Sequence, residues 1–233
     1  MAKRKSSVDR AYARLREMAV NFEFKPDERL NESALSVKLG ASRTPLREAL
    51  NRLVAEGLLT FVNGRGFFCR SLNPTRIQEL YEARSAIETE ALTRTIQRAT
   101  EADIAAFVAY LDEVEPTYHS CPDVPKLLQM DEEFHTHLAE LSGNNELVRM
   151  LENINVRIRY VRLINLKLLQ EANKTLPGRD VKLSAHRVIV EAVRARDTKA
   201  AVAALRQHIE RRQGETTDAV RIAYSQLYVP SYE

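Results

Sequence analysis

From Gly66 to Gly143 the chain contains no glycine and its apolar residues recur at helical spacing, whereas four of its seven glycines fall between positions 40 and 66. Glycine supplies turns and weakens helices. The break therefore predicts two parts: a head of short elements and a body built almost wholly of helices. "SLNPT", residues 71 to 75, is polar, holds a proline and reads as the linker and N-cap of the next helix. We place the head at residues 1–72 and an all-α bundle at 73–233, with the whole chain mainly α. At 233 residues and 44% apolar composition both parts can fill a core.

Charge separates the same two parts. Residues 1–70 hold 14 Lys and Arg against 8 Asp and Glu, and the remainder holds 21 against 24. A basic head points to a polyanion partner, with clustering on solvated faces as the plain alternative. No run of 18 apolar residues occurs, and no apolar stretch follows the basic start "MAKRKSSVDR". Neither a membrane span nor a secretory signal is expected, and the location read from this is cytoplasmic. Cys69 and Cys121 are far apart without a CxxC pair, which favours free thiols.

"SVDRAYARLREMAV" predicts a first helix ending near Pro26, and "NESALSVKL" a second, closed by Gly40. In the third helix, which "SRTPLREAL" opens, Leu46, Leu50 and Leu53 share one face. Thr44, Arg47 and Asn51 lie opposite, with Arg43 at the entrance. Pro45 fits the first turn, and Ser42 or Thr44 can cap it. "GLLTFV" and "GFFCR" alternate as short strands around "NGRG", a hairpin tip carrying Arg65. Three helices and a two-stranded wing in this order make a winged helix-turn-helix. Such a module inserts the N-terminal half of its recognition helix into the major groove, where arginine reads guanine and hydroxyls hold phosphate.

The stretch "LNESALSVKLGASRTPLREALNRLVAEGLLTFVNGRGFFCR" resembles the DNA-binding domain of GntR-family bacterial transcription regulators over nearly its whole length. The resemblance implies that Arg43, Thr44 and Arg47 contact bases or phosphates with help from Ser42, and that Asn63, Gly64 and Arg65 of the wing reach the minor groove. Ser33 stands where some relatives carry another DNA-contacting arginine, so the operator sequence is not implied.

In the body, "RIQELYEARSAIETEAL" sets Leu80, Tyr81, Ile87 and Ala91 on one stripe with Arg84 inside it. A buried arginine needs an anion, either Glu88 one turn on or a ligand carboxylate. "LLQMDEEFHTHLAEL" places Asp131 and His135 on the face marked by Leu127, Leu128, Phe134 and Leu138. Alone, that pair is best read as a simple hydrogen bond. His186, in line with Leu183, Ile189, Val190 and Val193, and His208, following Ala201, Ala204 and Leu205, bring the inward histidines to three. Three imidazoles and one carboxylate from three helices can surround a single divalent ion.

This pattern resembles the metal-binding form of the FadR-like effector domain, the FCD bundle, over most of residues 75 to 220. The resemblance implies a metal held by Asp131, His135, His186 and His208, with positions left for water or an effector. The donor set suits zinc, nickel, manganese or iron. Ala185 departs from the acidic residue often found before the third ligand. His137 lies off the metal stripe, and His119 sits in the polar turn "PTYHSCPD". The effector expected is a small carboxylate, with Arg84 in its site.

A metal-dependent hydrolase is the rival reading, but HExxH, a glycine-rich phosphate loop and GxSxG are all missing from the sequence. Glu132 and Glu133 point to other faces of their helix. A third reading has the body only dimerise, its histidines serving as core. "LVRMLENINVRIRYVRLINLKLL" is apolar on one side through Leu151, Ile154 and Ile158 and on another through Val156, Tyr160 and Leu163, so it must be covered twice. The expectation is a homodimer on a palindromic operator: a metal-containing, ligand-responsive repressor, not an enzyme.

Overall fold

The computed structural model describes residues 6–175, 185–214 and 216–228, with side chains described at 6–118, 121–171, 185–210 and 218–227. They fall into two compact units, Met1–Asn73 with Ile222–Glu233, and Pro74–Arg221.

In the first unit, α1 (Ser7–Val20) starts at a capping box, in which Ser6 accepts from the Asp9 amide and the Asp9 carboxylate accepts from the Ser6 amide. Its inward residues Ala11, Leu15, Met18 and Ala19 pack on α3. Helix α2 (Glu32–Leu39) is capped by Asn31 and stopped by Gly40 at φ 58°, a left-handed conformation that glycine adopts without steric cost. Helix α3 (Arg43–Ala55) buries Leu46, Ala49, Leu50 and Leu53 completely. Each leucine contributes on the order of 1.5–3 kcal/mol by burial.

Strands β1 (Leu59–Val62) and β2 (Gly66–Cys69) are antiparallel, with Leu59 opposite Cys69 and Val62 opposite Gly66. Gly64 turns the tip at φ 71°. Along β2, Phe67 and Cys69 face inward, and a single bridge from Arg29 to Phe68 braces the outer edge.

Among the described residues the regular elements of the second unit are all helices: α4 (Pro74–Arg98), α5 (Glu101–Ser120), α6 (Val124–Glu140), α7 (Asn145–Thr175), α8 (Ala185–Arg194) and α9 (Thr198–Gly214). Helix α10 (Thr216–Tyr228) comes last, its residues from Ile222 onward belonging with the first unit. Seven helices are described from residue 74 onward. Pro74 opens α4, Thr100 and Asp103 form a capping box on α5, and Asp123 caps α6. Helix α4 packs against α6, α7 and α9, and α8 bridges α5 and α9. This topology brings α4, α6, α7, α8 and α9 around one interior.

"PTYHSCPD" is not the turn the sequence pattern implies. Helix α5 continues through Pro116 to Ser120, so His119 lies in its last turn, its side chain outside the described residues. A tertiary contact helps hold that end: Tyr118 donates its hydroxyl to Asp131 Oδ1 at 3.2 Å. No described helix is long and apolar enough to cross a membrane.

Candidate functional site

Helical periodicity sends four side chains to one point in the second unit. Asp131 and His135 are one turn apart on α6, His186 sits in the first turn of α8 and His208 in the third turn of α9. One ligand atom from each lies within 4.8 Å of all the others. Asp131, His135 and His186 are buried, and His208 is partly so. Leu183, expected on the His186 stripe, lies outside the described residues. His137 is not in the cluster and meets the edge of Tyr110, ring centroids 4.7 Å apart.

The orientation of His135 is set from its far side. Its Nδ1 is 2.5 Å from Glu88 Oε2, and Glu88 Oε1 accepts from Arg84 Nε at 2.5 Å. Burial works against an ionised Glu88, but Arg84 and then His135 bring it down to about 2. An ionised carboxylate only accepts, so Nδ1 of His135 carries the proton and its Nε2 presents a lone pair. Burial, with Arg84 nearby, lowers His135 below its ordinary value despite Glu88, keeping the imidazole neutral.

Asp131 is held from several sides. Burial again opposes ionisation, yet the charge of Arg162 and the close approach of His186 keep the carboxyl well below its usual range. Arg162 donates to Asp131 Oδ2 and also meets Glu132 and Asn155. Glu132 is bound by Arg159 and Arg162, in keeping with its expected position off the metal face. The His186 ring stacks on Phe134 at 4.0 Å between centroids.

The donors fit a first-row divalent ion. A ligand shell of about 2.1 Å radius has edges of about 3.0–3.4 Å in tetrahedral or octahedral geometry. His135 Nε2 and His208 Nε2 are 3.2 Å apart, and His186 Nε2 is 3.3 Å from Asp131 Oδ1. The second pair lacks hydrogen-bond geometry, so His186 Nε2 is a buried nitrogen with no bonded partner. Two donors that approach without bonding each other suit a common third atom. Three nitrogens and one oxygen disfavour calcium or magnesium.

Beside the cluster is a small cavity of about 20 Å³, partly open to solvent, walled by Tyr81, Arg84, Asp131, Arg162, Asn165 and His208 with Leu166 and Ile209. Arg84 thus has two faces. Its Nε serves Glu88, while its Nη2 is buried without a partner. Sequence reading missed Glu88 as the residue orienting His135, Arg162 as the partner of Asp131, and Tyr81 and Asn165 as cavity residues. One signal was present. Asn155, Arg162 and Asn165 fall seven and three apart on α7, a polar stripe among Leu151, Ile158 and Val161, and all three are buried.

In the first unit each of the expected DNA residues is exposed. Ser42, Arg43, Thr44 and Arg47 are exposed at the start of α3, and Asn63, Gly64 and Arg65 at the wing tip. Thr44, Arg47, Asn51 and Arg52 line a shallow hollow on the outer side of α3. Arg47 lies 3.4 Å from Glu32, and its guanidinium is 5.6 Å from the Phe67 ring centre. Ser42 is the N-cap by position but makes no side-chain cap hydrogen bond.

A winged helix-turn-helix followed by an all-helical domain with an inward donor cluster defines a DNA-binding transcription regulator. Residues 7–69 match the family described as "Bacterial regulatory proteins, gntR family", and residues 79–211 match the FCD domain. The chain belongs to the GntR family and carries an FCD domain. It is 35% identical to the Nta operon transcriptional regulator of Aminobacter aminovorans, over 91% of this chain and 95% of that one. It is 29% identical to the transcriptional repressor GlaR of Escherichia coli, over 88% and 92%. The fold is similar to that of a GntR regulator from Rhodococcus, with TM-score 0.65, 24% identity and 92% and 99% of the two chains covered. It is also similar to that of E. coli McbR, with TM-score 0.61, 21% identity, 96% and 99% covered. The family and these relatives are described as transcription regulators.

Proposed function

We propose that the chain is a metal-dependent, effector-responsive repressor that binds palindromic operator DNA as a homodimer. The observation that carries the reading is the convergence of Asp131, His135, His186 and His208, with a lone pair of His135 fixed toward the others by Glu88. These four would hold zinc, nickel, manganese or iron. When bound, the ion supplies coordination positions that a carboxylate can complete. Arg84, with Nη2 unpaired in the adjoining cavity, takes the charge of that small carboxylate effector.

In the head, residues 1–72, Arg43, Thr44 and Arg47 meet the major groove. Ser42 and the uncapped start of α3 meet phosphate, and Asn63, Gly64 and Arg65 meet the minor groove. In the body, residues 73–233, α7 keeps Val156, Tyr160 and Leu163 only half covered within one chain, a surface for the second copy. The likeness to a named repressor supports the sign of regulation.

The test is His208→Ala against His137→Ala. His208→Ala loses metal by elemental analysis and no longer leaves the operator when a panel of small carboxylates is added, while metal-free operator binding persists. His137→Ala behaves as the parent in both assays. Full metal occupancy in His208→Ala removes that ligand from the site.

A further inference from the structure

Arg47 takes its counter-ion from another helix. The residues three and four positions from it on α3 are Arg43, Thr44, Leu50 and Asn51, none of them acidic. Glu32, at the start of α2, supplies the carboxylate, its Oε2 3.4 Å from Arg47 Nη1. Glu32 is in turn held at a corner of the first unit. Asn31 caps α2 by accepting from the Ala34 amide, and the chain before it is tied to β2, with the Leu30 amide donating to Phe67 and the Cys69 amide to Glu28. The second oxygen, Oε1, is turned toward the wing, 3.9 Å from where a side chain on Gly66 would begin.

A pair in which Arg47 is 48% exposed adds little to stability, so its effect is on direction. A guanidinium is a rigid fork of five donors. Here one nitrogen faces Glu32, the Phe67 ring centre lies 5.6 Å from the group, and Nε and Nη2 remain for a ligand. The carboxylate also filters that ligand. A phosphate drawn to the same fork meets the negative charge of Glu32, whereas the O6 and N7 edge of guanine carries no net charge and accepts two parallel N–H bonds. Holding the fork before DNA arrives removes part of the ordering cost of a long side chain, which favours the one geometry that matches.

We propose that Glu32 is a positioning residue that commits Arg47 to a guanine edge of the operator and away from phosphate. The resemblance left bases and phosphates open for Arg47, and the pair with Glu32 decides between them. The proposal rests on α3 facing the major groove.

The experiment uses the full chain and two probes: a duplex selected by the parent from a randomised pool, and a scrambled duplex of the same length and composition. Anisotropy titrations compare the parent, Glu32→Gln, Arg47→Ala and the double variant, on the selected duplex and on copies with each base pair of one half-site replaced in turn. Arg47→Ala abolishes discrimination at one guanine. In Glu32→Gln, discrimination at that same guanine falls about 3- to 10-fold, while the scrambled duplex binds more tightly and with a steeper dependence on salt, because the freed arginine reaches phosphate. In the Arg47→Ala background Glu32→Gln changes no discrimination, and the thermal midpoint of Glu32→Gln stays near that of the parent. Unchanged discrimination in Glu32→Gln, or a loss spread over every position, overturns the assignment. If Arg47→Ala weakens the selected and scrambled duplexes alike, Arg47 holds phosphate and the proposal falls while the groove-facing helix stands. If Arg47→Ala leaves both affinities unaltered, the placement of Arg47 on the DNA surface falls with it.

Discussion

Replacing Glu88 by glutamine tests the donor cluster without touching a donor. Glu88 has 2% of its side chain exposed and uses both oxygens, Oε1 toward Arg84 Nε and Oε2 toward His135 Nδ1, each at 2.5 Å. Glutamine has the same shape but one accepting end. If that end faces Arg84, the amide NH2 meets the Nδ1 proton of His135. The imidazole must then shift its proton to Nε2, losing the lone pair aimed at the cluster. If it faces His135, the NH2 meets the Nε proton of Arg84. Both arrangements leave the Arg84 charge, 3% exposed, without its counter-ion. Breaking a buried ion pair from one side costs about 3–5 kcal/mol, and losing a carboxylate behind a ligand histidine costs about 10- to 100-fold in metal affinity. At roughly 2–4 °C per kcal/mol, the midpoint of the metal-free chain falls by about 6–20 °C. Scanning calorimetry reads the midpoint, and competition with a chromophoric chelator reads zinc affinity. The double change Arg84→Met with Glu88→Gln removes the stranded charge and recovers most of the midpoint, but not the zinc affinity. Parental zinc affinity and midpoint in Glu88→Gln would refute the linkage from Arg84 through Glu88 to His135.

Two further outcomes rest on contacts already described. Arg47→Ala weakens operator binding by about 1–3 kcal/mol with a near-parental midpoint, because Arg47 is exposed and its contact with Glu32 is a surface pair; unaltered affinity in a titration removes it from the DNA surface. Stability of the metal-free chain declines on acidification. His135, lowered from 6.5, withdraws stability as pH falls below 6.5, and Glu88, lowered from 4.5 to about 2, withdraws more between 4.5 and 2, as does Asp131. A thermal midpoint that rises as pH drops from 7 to 4 contradicts these assignments.

The head was readable because its instructions are local. Gly40 after a short apolar helix, Pro45 in a first turn, and "NGRG" between alternating strands each act within a few residues, and each element forms where they place it. The four donors were readable because a 3.6-residue period sends Asp131, His135, His186 and His208 inward whatever the helices pack against. Their support was not. Glu88 reaches His135 across 47 positions, and Arg162 reaches Asp131 across 31. Such pairings depend on how α4, α6 and α7 settle against one another, which no local pattern encodes. Arg84 shows the limit most plainly, since sequence posed Glu88 and a ligand as alternatives, while separate nitrogens of one guanidinium address the anion and the cavity.

The buried charges argue for an order of binding. Arg84, Arg159 and Arg162 face Glu88, Asp131 and Glu132, so the ionised groups around the cluster balance without a metal. A carboxylate entering that balanced interior adds uncompensated charge and loses its hydration, which is costly. A dication held by neutral imidazoles and Asp131 reverses the balance and leaves a surplus of two positive charges, suited to a mono- or dicarboxylate. At an effective dielectric of about 20, opposite unit charges about 4 Å apart attract by about 4 kcal/mol, so a coupling of about 1–3 kcal/mol is reasonable after desolvation. Zinc removal should therefore weaken carboxylate binding by roughly 5- to 150-fold, and by linkage the carboxylate should tighten zinc by the same factor. Calorimetry of one acid on zinc-free and zinc-loaded protein measures the first factor, and chelator competition with and without that acid measures the second. Equal carboxylate affinity in both states would mean that Arg84 alone neutralises the effector and that the donor cluster serves some other end.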